Sequence, residues 1–401
     1  MTPTYSRPWS LRKLVQRLLH APRAATRTLR GRLRDGHFQL FEKTLTHGTG
    51  RALLARSIRG LVQEDPWTGL GASPLPARPY ESLPPPAGPH GAAARDDVIF
   101  VTGRFRSGST FLWNLFRSVP GLTSYYEPLN ERRWFDPAAR GDRVDPTHRH
   151  VEEYWREYEG LEELGQHYRV DWIDTNLYMD ARFPDPDLRS FIDLLIERSK
   201  GRPVLQFNRV DFRLPWLRRT YPRAAIVHIY RHPRDQWCSC LQGDPCPLDD
   251  LQLEAFEPWD RFYLRSWVRD LAHAFPVLRD PRIRHPYEAF YLVWRLAHAF
   301  GARYATHSVR FEDIAADPVG VAGGLLEQLG IRRHTPERIL EVFSPPHLGK
   351  WRAYAREEWF RRREQRCEDL LAEACAPVDE SPAVLDRPLG EPRTAAALIA
   401  P

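Results

Sequence analysis

The chain has 401 residues, of which 42% are hydrophobic and 27% charged, the proportions of a soluble globular protein with one large or two modest domains. Its net charge of +6 and pI near 9.1 suit an anionic ligand and equally a plain arginine-rich surface. Five cysteines without a regular C-x-x-C pair give neither a disulfide framework nor a zinc pattern. No apolar run approaches the ~20 residues of a membrane span, so a reducing, cytoplasmic setting is expected and no metal is called for.

Residues 1–65 read as a basic helical N-terminal extension. Its apolar stripe (Leu11, Leu14, Val15, Leu18, Leu19) is flanked by arginines. The stripe fits packing on the chain's own domain, or peripheral contact with an anionic membrane surface. Residues 66–95, with Pro84-Pro85-Pro86, read as a Pro/Gly-rich linker. From Asp96 to Cys375 the pattern is α/β, and 376–401 read as a disordered tail.

Within the α/β part, Val98–Val101 is an apolar β-type run. A glycine-bearing turn follows, then a helix marked by Leu112, Leu115, Phe116 and Val119. Thr123–Tyr126 is extended and leads to Glu127-Pro128-Leu129-Asn130. Helices are expected over Val151–Leu164, Asp187–Arg198, Leu214–Tyr221, Tyr287–Phe300, Val319–Leu329 and Arg352–Cys375. Strands are expected at Val204–Asn208, Ala224–Tyr230 and Ala305–Phe311, and the continuous apolar run Ala224–Tyr230 suits a central parallel strand.

The turn after the first strand reads Gly103-Arg104-Phe105-Arg106-Ser107-Gly108-Ser109-Thr110. Strand, glycine turn and helix N-terminus together aim backbone N–H groups and a positive dipole end at an anion. Gly103 and Gly108 have the spacing of a nucleotide-triphosphate loop, but Ser109 stands where that loop carries lysine. The nearest cation is Arg106, which steers the reading towards a different phosphorylated donor. A matching cation, Arg231, ends the apolar strand, and Ser239 follows eight residues on. Ligands of open parallel sheets bind beyond the carboxyl ends of the strands. Two cationic strand ends can therefore hold two separated phosphates of one nucleotide.

On these residues the chain resembles the PAPS-dependent sulfotransferases of bacterial and carbohydrate type, which use 3′-phosphoadenosine-5′-phosphosulfate. Arg106-Ser107-Gly108-Ser109-Thr110 matches their 5′-phosphosulfate loop, and Arg231 with Ser239 their 3′-phosphate motif. Arg310-Phe311-Glu312-Asp313 and Gly349-Lys350-Trp351-Arg352 echo two later segments in the same order. The resemblance covers about Asp96 to Tyr354. It implies a P-loop-like three-layer α/β fold, with a central parallel β-sheet flanked by helices. It also implies in-line transfer of a sulfuryl group from PAPS to a hydroxyl acceptor without a metal.

Carried onto this chain, the resemblance gives Arg106 the bridging oxygen and Arg231 with Ser239 the 3′-phosphate. Ser107, Gly108, Ser109 and Thr110 take the 5′ end, and Phe111, Lys350 and Trp351 lie about the nucleotide. Glu127 is the candidate general base, or else a structural partner of Arg132 or Arg133. A histidine base like that of the cytosolic branch is missing, because Gln206-Phe207-Asn208-Arg209 has no histidine or lysine. His228 reads as a core histidine, and Arg231 as either a ligand cation or an ion-pair partner of Asp235. The aromatic-rich insertion at 130–180 suits stacking on sugars, a lipid, or a satellite core. A glycan or glycolipid is the preferred acceptor, a small natural product the alternative, and nucleic acid is not expected. A P-loop kinase or NTPase, or a non-catalytic nucleotide-binding adaptor, is the rival class.

Overall fold

Five short apolar runs meet side by side in a parallel sheet. The computed structural model describes residues 91–375. The extension at 1–65, most of the linker and the tail at 376–401 lie outside them. The last residues of the linker stretch do fall inside, where Gly91–Ala94 form a 3-10 turn with Ala92 and Ala93 buried.

The strands are β1 (Ile99–Thr102), β2 (Leu122–Tyr126), β3 (Arg202–Phe207), β4 (Ala225–Tyr230) and β5 (His307–Arg310). Their order is β2-β3-β1-β4-β5 and every pairing is parallel. β1 lies between β3 and β4, with Thr102 opposite Phe207 on one side and His228 on the other. Strands covered on both faces lose the polar alternation of half-exposed ones. All four residues of β1 are buried accordingly, and β4 is buried except at its half-buried first residue.

Helices cover both faces. On one, α1 (Ser109–Ser118) contributes the expected stripe Leu112, Leu115 and Phe116. It shares a core with Ile99, Val101, Val227 and Ile229 and with residues from three later helices: α7 (Phe311–Ala316), α8 (Pro318–Gln328) and α9 (Pro336–Val342). The other face is built around α6 (Pro286–Tyr304), whose Phe300 meets Phe212 and Phe275 edge to face. α2 (Pro186–Arg198), α3 (Leu214–Thr220), α4 (Pro233–Leu241), α5 (Leu264–Leu271) and α10 (Glu357–Cys375) complete the unit.

Many of these helices begin with proline behind a side-chain cap. Asp185, Asp317 and Thr335 each accept a backbone N–H there, and His285 with Glu288 closes a capping box on α6. Such starts are set locally, which is why most helix positions match the expected ones.

The exception is Val151–Leu164, which holds only the 3-10 turns Arg156–Tyr158 and Glu162–Gln166. Its periodic Tyr154, Tyr158, Leu161 and Leu164 are indeed buried, so the spacing marked burial without marking a helix. Gly160, at φ +77°, takes a left-handed conformation that interrupts the run. The late charged helix is likewise split, because Ala355 is extended between Trp351–Tyr354 and α10. α7, like α5 and α9, is not among the expected helices.

The aromatic insertion forms a satellite core: Tyr126 stacks on Tyr154 at 4.4 Å, and Trp172 packs on Phe191. No helix among the described residues is long and apolar enough to cross a membrane.

His228 sits in the core as expected, within 3.3 Å of Ser308 Oγ and stacked on Tyr230. Burial drives its pKa down to about 3, and holds His232 and His285 at about 4. Unfolded histidines bind a proton near 6.5, so the stability these groups contribute is complete above that pH. It is lost as pH falls from 6.5 towards 3. Thermal melts across that range should show this slope, and His228→Phe, which keeps a ring but removes the titration, should make it shallower. An unchanged slope would assign the acid sensitivity to other groups.

Candidate functional site

The loop between β1 and α1 is shaped by two glycines. A Cβ on Gly103 would lie 2.6 Å from both Ile229 Cγ2 and the Ile229 carbonyl oxygen, so this position admits β4 only without a side chain. Gly108, at φ +99°, presses against the ring of Phe311. It is also the N-cap of α1 and brings no capping side chain, and no acid stands in the first turn. The first N–H groups of the helix are thus left for a ligand. Ser107 is buried with its hydroxyl unpartnered. Arg106 itself sits at φ +65°, a left-handed conformation uncommon for a residue with a side chain.

That backbone twist carries the Arg106 side chain across to α4. Its Nε donates to Ser239 Oγ at 3.1 Å. In return Arg231, at the end of β4, donates from Nη1 to the Arg106 carbonyl at 3.4 Å. The two cationic strand ends are therefore joined to each other. Arg231 lies 5.0 Å over the Phe311 ring and its Nε is buried without a partner. Burial lowers its pKa, against the pull of Asp235 and Glu312. The suggested Arg231–Asp235 ion pair does not form among the described residues, since Asp235 instead accepts the Gly349 N–H at 2.8 Å. Glu312 accepts the His232 N–H at 3.0 Å, and Gln236 donates to the Phe105 carbonyl at 2.7 Å. These bonds tie the segment after β5, the turn before α4 and the loop after β1 into one floor.

Above the floor is a cleft of about 670 Å³ at the carboxyl end of the sheet, lined by Arg106, Gly108, Ser109, Thr110, Phe111, Glu127, Arg231, Ser239 and Lys350 among others. Phe111 stands edge-on to Phe343 at the rim. Two predicted residues are off the wall. Ser107 lies beneath it, and Trp351 is buried parallel to His232 with Arg234 4.9 Å from its ring.

Glu127 directly follows β2 at φ +39° and is buried. Asn208 donates to one carboxylate oxygen at 2.6 Å, while Asn130 at 2.7 Å and Arg209 at 3.5 Å reach the other. Neither Arg132 nor Arg133 pairs with it. Arg209 is the missing partner: it also bonds Glu131 at 2.6 Å and lies 5.0 Å from the Phe105 ring. Arg209 and Asn208 follow β3 directly, so the strand-end rule that exposed Arg231 could have found them.

No such signal marked Asp145, Thr147 and His148, which sit in an irregular stretch. Thr147 Oγ1 accepts from Arg106 Nη1 at 3.1 Å, Asp145 lies 3.7 Å from the same nitrogen, and His148 Nε2 lies 3.4 Å from Thr110 Oγ1. His150 Nε2 meets Ser344 Oγ at 2.8 Å, linking this loop to the segment that carries Lys350. A third group, Thr102–Asp211, is bonded at 2.6 Å under the loop, where burial raises Asp211 to about 6 despite nearby Arg104.

Residues 97–336, more than half of the chain, match the model of the sulfotransferase family. No curated protein matches. Similar solved structures include a sulfotransferase from Alicyclobacillus acidocaldarius, 17% identical with a TM-score of 0.33, spanning 69% of this chain and 94% of that one. The sulfotransferase domain of the Synechococcus PCC 7002 olefin synthase is 16% identical, with a TM-score of 0.34 and the same two coverages, 69% and 94%. Sulfotransferase STF1 of Mycobacterium tuberculosis H37Rv is 16% identical, with a TM-score of 0.31, over 69% of this chain and 76% of that one.

The Glu127–Arg209 pair has a direct energetic consequence. Arg209→Met leaves a buried carboxylate without its cation and should cost about 3 kcal/mol or more. Adding Glu127→Gln should recover part of that loss in chemical denaturation. Additive effects in the double variant would show that the two do not act as a pair.

Proposed function

The chain belongs to the sulfotransferase family, and on that footing we propose that it transfers a sulfuryl group from PAPS to a hydroxyl, with a glycan or glycolipid as acceptor. The observation that carries the donor assignment is the paired linkage of Arg106 to Ser239 and of Arg231 to the Arg106 carbonyl. It places two guanidinium groups at neighbouring strand ends, beside an uncapped helix N-terminus. The unpartnered Nε of Arg231 is what an anion-binding floor provides. PAPS supplies the activated sulfuryl group.

Arg231 and Ser239 would hold the 3′-phosphate. The N–H groups of Gly108, Ser109 and Thr110 would face the 5′-phosphosulfate, where Arg106 offers its charge to the leaving oxygen. Positioned cations and N–H donors can supply most of the barrier lowering in such a displacement. An arginine remains charged throughout and can bind two oxygens at once. Lys350 on the cleft wall adds a further cation near the nucleotide. A kinase reading finds less support, since β4 ends on Arg231 where a metal-binding acid would stand.

For the acceptor, the opposite wall offers Tyr126, Trp134 and Tyr154 beside Glu127, Asn130 and Glu131. The rings pack on one another, so the polar groups beside them are what support a polyhydroxylated substrate. Two side chains on this wall could take the hydroxyl proton, Glu127 and His148.

The donor half is testable without knowing the acceptor. 3′,5′-adenosine bisphosphate should raise the melting temperature well beyond the effect of ADP or ATP. Arg231→Met should weaken its binding by about 100-fold, the scale of one lost charge-assisted contact. Ser239→Ala should cost less. Equal responses to the bisphosphate and ADP would refute the donor assignment.

A further inference from the structure

We propose that His148 is the catalytic base that receives the acceptor's proton, an assignment that rests on the sulfuryl-transfer reading above. His148 lines the cleft beside Arg106 and Thr110. Its Nδ1 lies 2.6 Å from the Tyr154 hydroxyl, whose oxygen also accepts the Asp145 N–H at 2.9 Å. In the tautomer that donates Nδ1–H to Tyr154, the ring's lone pair is on Nε2, 3.4 Å from Thr110 Oγ1 on the first turn of α1. The preceding residue, Thr147, accepts the Arg106 hydrogen bond at 3.1 Å. Proton acceptor and donor-activating cation are therefore fixed to one short loop. It lies outside the Gln206–Arg209 stretch, which carries Asn208 and no histidine.

The surroundings keep the imidazole neutral. Burial lowers its pKa to about 4, Arg106 pushes in the same direction, and Asp145, 4.0 Å from Nε2, opposes both. Tyr126 and Tyr154 stand edge-on to the ring. Glu127 acts on both tyrosines and Arg132 on Tyr154. Glu127 is less free to accept, because both of its oxygens already take side-chain N–H donors.

The step balances without a further reactant. The acceptor oxygen attacks sulfur and a new O–S bond forms. The bond from sulfur to the bridging phosphate oxygen breaks, and its electron pair leaves with the bisphosphate. The hydroxyl proton passes to His148 Nε2. The resulting imidazolium lies beside Asp145 and later releases its proton to solvent.

Histidine side-chain NMR on the full chain reads the state of the ring directly. His148 should be the neutral Nδ1–H tautomer at pH 6, and its Nε2 resonance should move when 3′,5′-adenosine bisphosphate is added. A protonated ring at pH 6, the Nε2–H tautomer, or no response to bound bisphosphate would overturn the assignment. His148→Asn should bind the bisphosphate within about threefold of the parent, yet lose about 100-fold of PAPS cleavage with water as acceptor. His148→Gly should regain part of that rate with added imidazole. Cleavage within about threefold of the parent in both variants would remove His148 from the chemistry while leaving the donor site intact. Failure of the parent to bind the bisphosphate would sink the donor reading and this assignment together.

Discussion

The site depends on one exchange of contacts between neighbouring strand ends. Arg106 reaches over to Ser239, and Arg231 reaches back to the Arg106 carbonyl. Neither bond could form if β1 and β4 were not adjacent in the sheet. Their adjacency in turn needs Gly103, where any side chain would strike Ile229. Arg106 must also accept a left-handed backbone to point across the gap. A local conformational cost is thus held in place by sheet pairing, which is the usual way strain persists at a working site.

The second half of the cleft is organised differently. Glu127, Asn130, Asn208, Arg209 and Glu131 form a continuous polar chain linking the ends of β2 and β3. A carboxylate held from three sides makes a rigid wall, because removing any one donor leaves a buried oxygen unsatisfied. The His148 loop is held by contacts to Arg106, Thr110, Asn114, Tyr154 and Ser344. Both walls are tied down, one through a buried carboxylate and the other through loop backbone and side chains.

Much of this was legible in the sequence, and for identifiable reasons. β1 and β4 showed because strands buried on both faces are apolar throughout. The loop and Arg231 showed because glycines and a strand-end arginine stand at fixed offsets. What escaped were groups whose importance comes from distant pairing. Arg209 gains its role from Glu127, 82 residues away, and His148 from an irregular loop with no periodic mark. Trp351, expected about the nucleotide, packs against His232 and Arg234 behind the cleft wall, a contact that no sequence offset marks. The expected helix at 151–164 failed because aromatic burial can mimic helical spacing.

Arg231 reaches the Arg106 carbonyl through Nη1, while its Nε has no partner among the described residues. An anion bound there would give that donor its partner. Binding and fold stability are then linked, because whatever occupies the cleft also fastens β4 to the loop after β1.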